Sequence, residues 1–108
     1  MKANELMIGD WVVGPSKEPF RIGEINPDFV HWDEVRPVPL TEDILEKNGF
    51  MRGQMFNNVW NYTEDYKRIV IVYTGELFNI QNTLIEFKYI HELQHILRIC
   101  GINKNIEL

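Results

Sequence analysis

The sequence predicts a small α+β domain. It reads as a small bent antiparallel sheet, SH3-like barrel-type in its N-terminal half, with one short and one longer C-terminal helix. Three observations carry this reading. Residues 5–40 contain short apolar runs interrupted by Gly14-Pro15-Ser16 and Asn26-Pro27-Asp28, which combine residues that favour turns. Residues 68–73, Arg-Ile-Val-Ile-Val-Tyr, are β-branched and almost continuously apolar, as a central strand requires. Residues 87–99 repeat apolar side chains at helical spacing.

In chain order, strands are expected over residues 6–13, 20–25, 28–32 and 35–40. In the first, Met7, Gly9 and Trp11 alternate with Ile8, Asp10 and Val12, so its two faces do not separate cleanly into apolar and polar. Pro37-Val38-Pro39 stiffens the exit from this region. Thr41 then offers an N-cap hydroxyl, with Glu42 and Asp43 in the first turn where the helix dipole favours negative charge. A short helix should run to about Asn48 and stop at Gly49. Beyond it come a weak strand over 55–62, the strong strand over 68–73, and a turn at Thr74-Gly75 into residues 76–80. The final helix should span about 87–99 and end at Gly101, and residues 105–108 could add an edge strand. The 108 residues thus divide as one domain into a β-rich half (1–40), a short helix (41–49), and a hairpin plus terminal helix (50–108).

Composition narrows the function classes. A hydrophobic fraction of 44% with 25% charged residues is that of an ordinary globular protein. The net charge of −5 is concentrated: residues 1–50 carry five Lys/Arg against ten Asp/Glu, residues 51–108 six against six. No basic stripe is present to neutralise phosphates, so neither a nucleic acid nor a membrane is expected as a partner. The opening ten residues lack the apolar core of a signal peptide, and no run approaches a membrane span, so the expected location is the cytoplasm. Cys100 is the only cysteine, which leaves no intramolecular disulfide; its place on the apolar stripe of the last helix predicts a buried, inert thiol.

His91-Glu92-Leu93-Gln94-His95 matches H-E-x-x-H, the zinc-hydrolase motif. On a helix the two histidines, four residues apart, can share one zinc while Glu92 serves as base for a bound water. A catalytic zinc also needs a third protein ligand. The extended motif would place Gly and His where Arg98 and Gly101 stand, and only thirteen residues follow His95, with Glu107 the sole acid among them. A third ligand would have to come from upstream, from His31 or an N-terminal acid. At about 100° per residue, Tyr89, Ile90, Leu93, Ile96, Leu97 and Cys100 form one apolar stripe and His91, Gln94, His95 and Arg98 fall opposite it. The expectation is a solvated or partner-facing surface that happens to match the motif, with no metal, cofactor or catalytic residue assigned.

Three stretches, Glu-Leu-Met-Ile-Gly-Asp-Trp-Val (5–12), Pro-Val-Pro-Leu-Thr-Glu-Asp-Ile-Leu-Glu-Lys-Asn-Gly-Phe (37–50) and Tyr-Ile-His-Glu-Leu-Gln-His-Ile-Leu (89–97), together resemble a family of small uncharacterised proteins. The resemblance implies an origin in gut Bacteroidota and their phages or mobile elements, and brings no activity with it. In that family the late stretch commonly runs Tyr-Val-His-Gln-Leu-Gln-Asn, so this chain departs at Glu92 and His95.

Trp11 and Trp32, with Phe20 and Phe29, could line an aromatic groove for a peptide, with Asp10, Asp33 and Glu34 attracting a basic ligand; the competing use of these rings is the core. Ser16 has no nucleophile-elbow context and no Gly-rich phosphate loop occurs. The leading expectation is a non-enzymatic interaction or accessory protein that binds another protein or a second copy of itself. The alternative is a minimal zinc-dependent hydrolase using His91, Glu92 and His95. A third reading, inhibition of a host factor by mimicry of an acidic nucleic acid, rests on the acidic N-terminal half.

Overall fold

The computed structural model describes residues 10–14, 18–22, 35–64 and 66–108. Two antiparallel sheets and two helices are present, so the chain is α+β. The first sheet has three strands, β1 (Trp11–Val13), β2 (Pro19–Arg21) and β3 (Arg36–Pro37), in the order β2-β1-β3. The second is a five-stranded meander of β4 (Met51–Arg52), β5 (Val59–Glu64), β6 (Lys67–Tyr73), β7 (Phe78–Ile80) and β8 (Glu86–Phe87). Among the described residues the N-terminal half forms the expected small antiparallel sheet, of three strands, and no closed barrel is found there. The strand expected over 28–32 lies outside the described residues.

The strong apolar run is the middle strand of the meander, as its composition requires. β6 alternates a buried set, Ile69 and Ile71, with the half-buried Val70 and Val72. Register carries the pattern across the sheet: Trp60 pairs with Ile71 and Phe78 with Phe87, which places large rings on one face. On that face lies the longer helix, α2 (Ile90–Ile99), contributing Ile90, Leu93 and Leu97 to a continuous core with Trp60, Ile69, Ile71, Phe78 and Phe87. Each such side chain contributes on the order of 2 kcal/mol by leaving water. The hairpin expected from Thr74-Gly75 is present, with Thr74 N–H donating to Leu77 O at 2.9 Å. β4 and β8, each of two residues, are too short to show a period in the sequence.

The short helix α1 (Glu42–Lys47) forms as its capping chemistry dictates. Thr41 Oγ1 accepts from Ile44 N–H at 3.3 Å, Leu45 is buried inward, and Asn48 is the C-cap. Gly49 follows at φ +87°, a left-handed conformation open to glycine at little cost. Trp60 Nε1 donates to Glu42 Oε2 at 2.9 Å, which ties the helix start to the meander.

The last residues do not become a strand. Instead their backbone is held by side chains: the Asn48 amide donates to Glu107 O and accepts from Glu107 N–H, both at 2.7 Å, in imitation of a strand pair. Lys47 donates to Leu108 O, and Ile106 is buried. No helix among the described residues is long and apolar enough to cross a membrane.

Candidate functional site

The polar face of α2 is where the sequence placed its chemistry, and the structure corrects how that face is used. Its His91 and Gln94 side does not point into solvent, whereas His95 is half-buried and Arg98 exposed. His91 and Gln94 are both only 7% exposed, because β1 lies against the helix on this side. The buried stripe is Ile90, Leu93, Gln94 and Leu97, spaced i, i+3, i+4, i+7, with His91 beside it. A phase argument that ranks residues by polarity assigns Gln94 and His91 to water; here a second layer of structure supplies polar partners for that side of the helix.

The partners are specific. Asp10, just before β1, is fully buried, and its Oδ2 lies 2.6 Å from His95 Nε2, with Arg98 Nη1 at 3.8 Å from Oδ1. A carboxylate can only accept, so His95 Nε2–H donates. One residue on, the Trp11 backbone N–H donates to Gln94 Oε1 at 2.9 Å. Trp11 Nε1 and Arg21 Nη2 both donate to Ile106 O at 2.7 Å. The three-stranded sheet is therefore joined to α2 and the C-terminal tail by directed polar contacts. The His95 hydrogen bond and the nearby Arg98 cation together offset the cost of burying this carboxylate.

This joint uses much of the H-E-x-x-H set. His95 is committed to Asp10 and sits at 27% side-chain exposure. Glu92 closes the helix start: Oε1 accepts from Tyr89 N–H at 3.1 Å and Lys88 N–H at 3.2 Å, groups that the first turn otherwise leaves without helical partners. The His91 ring stacks on Tyr89, with centroids 6.0 Å apart, and meets His95 edge-on at 5.7 Å. Among the described residues no three His, Cys, Asp or Glu side chains gather as metal ligands. His31, the upstream ligand candidate, lies outside the described residues.

Other expectations divide. Trp11 is half-buried against the main core with the Arg21 guanidinium 5.0 Å from its ring, and Phe20 is 44% exposed. Trp32, Phe29, Asp33, Glu34 and Ser16 lie outside the described residues. Asp10 is not a surface acid awaiting a basic ligand; its charge is already met by His95 and Arg98. Cys100 is exposed, contrary to the expected burial, because α2 ends at Ile99 and the chain turns away through Gly101 at φ +71°.

The far face of the meander carries a different kind of site. Opposite residues in antiparallel register share a face, so Val59 with Val72, Asn61 with Val70, and Met51 with Asn61 all project away from α2. Three half-buried valines and an exposed methionine thus lie together. The β4–β5 connection adds Met55, 87% exposed, and Phe56, 62% exposed. Nothing in the sequence marks them as a surface, since a valine on a strand gives no sign of which face will be covered.

No protein family matches this chain, and neither curated proteins nor solved structures include a match to it.

Proposed function

We propose that the protein is a non-enzymatic interaction or accessory protein that binds another protein through the outward face of its five-stranded sheet. The observation that carries this is the group Met51, Val59, Val70 and Val72, bordered by Met55 and Phe56. Exposed apolar side chains are ordinary when scattered; gathered on one sheet face and one adjoining loop, they favour an interface. Methionines suit such a surface because their unbranched side chains adapt to a partner's shape. The polar face of α2, by contrast, already has an intramolecular task.

The remaining parts of the proposal follow from composition. An excess of acid and no basic stripe disfavour a nucleic-acid partner. An exposed thiol with no second cysteine in the chain suits a reducing compartment such as the cytoplasm. An origin in phages or mobile elements of Bacteroidota rests on the resemblance alone.

The test is capture with two baits, the parent chain and a Phe56→Ser/Val70→Thr/Val72→Thr variant whose threonines retain strand propensity. A protein retained in stoichiometric amount by the parent and lost with the variant supports the reading. Identical capture by both baits contradicts it. Tight, stoichiometric zinc binding with peptide hydrolysis, abolished in Glu92→Gln, would overturn the non-enzymatic half.

A further inference from the structure

We propose that the C-terminal end of α2, β2 and the tail enclose a binding pocket for one phosphoryl group, held by Arg21, Arg98 and Lys104. The three cations line a single cavity together with Gln94, Ile102, Asn103 and Asn105, and among the described residues no carboxylate lines it. In a chain with sixteen acids and eleven bases, three bases converging on one cavity is a departure from the general charge pattern.

The way the cations are held points to an anion from outside. Arg21 is positioned by the Trp11 ring at 5.0 Å and by the Ile106 carbonyl, and Lys104 by the Tyr62 ring at 5.8 Å. Neither has a carboxylate within ion-pairing distance among the described residues. Ring faces and a carbonyl orient a cation while leaving its formal charge uncompensated. Arg98 is different: Asp10 lies 3.8 Å away and divides its charge between Arg98 and His95. Two further groups oppose an anion. Glu64 accepts from Asn103 N–H at 2.9 Å at the cavity's edge, and the carbonyl end of α2 carries about half a negative charge. The second is reduced by the turn that closes the helix, where Ile102 N–H donates to Leu97 O at 2.8 Å.

Size and donor type select the ligand class. The cavity is about 90 Å³, far below the roughly 300–1,000 Å³ of pockets that enclose a drug-sized ligand. It suits one compact polar group. Guanidinium forks match the oxygens of phosphate and carboxylate alike. Three cations with three amides favour the dianionic, many-oxygened phosphoryl group over a single carboxylate. This pocket is separate from the sheet face proposed as a protein interface, and its test reads neither partner capture nor hydrolysis.

The experiment is an NMR titration of the full ¹⁵N-labelled chain with inorganic phosphate at constant ionic strength, with acetate and methyl phosphate as parallel ligands. Saturable shifts of the Gln94, Asn103 and Asn105 side-chain amides are expected, with acetate weaker than phosphate. Lys104→Gln, which removes a charge without touching the joint at Asp10, should weaken phosphate about tenfold, the effect of one charge-assisted hydrogen bond. Arg21→Gln should do the same, and unchanged spectra elsewhere confirm that each variant is folded. Binding of methyl phosphate would identify an esterified group as ligand, and its rejection the free ion; both uphold the pocket. Shifts that never saturate, acetate binding as tightly as phosphate, or equal affinity in the folded Lys104→Gln variant would each overturn it.

Discussion

The two faces of α2 are held by opposite means. Toward the meander, Ile90, Leu93 and Leu97 share one apolar core with Trp60, Ile71 and Phe78. Toward the three-stranded sheet, the contact runs through Asp10 with His95 and Arg98, Trp11 with Gln94, and Arg21 and Trp11 with Ile106 O. Apolar packing is non-directional and accumulates with area, so it tolerates small shifts. A polar joint is directional: its net gain is small while intact, and the loss of one partner strands the other in a poorly solvated place. The first face should therefore set global stability and the second should set whether the small sheet stays docked.

The largest effect belongs to the apolar face. Trp60→Ala should cost about 3–5 kcal/mol, since it opens a cavity in the main core and removes the indole donor to Glu42; urea unfolding would read it as a lower midpoint. A change below about 1 kcal/mol would mean that the meander is not the stabilising unit. Next comes the joint. His95→Ala leaves Asp10 buried with one fewer donor and should cost about 2–3 kcal/mol. In a double-mutant cycle with Asp10→Asn, the pair should show a coupling of at least about 1 kcal/mol, whereas independent sites would add.

Smaller effects sharpen the comparison by leaving both faces intact. Thr41→Ala removes the N-cap bond to Ile44 and should cost about 1 kcal/mol. Glu92→Ala frees the Lys88 and Tyr89 N–H groups at the start of α2 and should cost about 0.5–1 kcal/mol. Each is checked by the same unfolding curves. A Glu92 variant of unchanged stability would take away the capping role assigned to that carboxylate.

These two faces also mark how far the sequence could be read. The apolar one was legible because its signals are local: alternation and β-branching in residues 68–73, the Thr41 cap, and the i, i+3, i+7 spacing of Ile90, Leu93 and Leu97. The polar one was not, because its contacts join residues 83 and 85 positions apart, Trp11 with Gln94 and Asp10 with His95. Neither has a periodic signature. Polarity alone consigned Gln94 and His91 to solvent, and Cys100 to the core, when the actual boundary is set by where β1 lies and where Gly101 ends the helix. The cavity of Arg21, Arg98 and Lys104 was illegible for the same reason, being assembled from a strand, a helix and the tail.

Native-state hydrogen exchange on the parent and His95→Ala tests the division of labour most directly. The Trp11 amide, bonded to Gln94, and the Ile22 amide, bonded to Asp10 O, report the small sheet, while the Ile71 amide reports the meander. At denaturant levels where local opening dominates, Trp11 and Ile22 should lose protection by at least about tenfold in His95→Ala while Ile71 keeps its own. Equal loss at all three amides, or none at any, would contradict the view that a polar joint at Asp10 and His95 docks the small sheet onto a meander stabilised by its own apolar core.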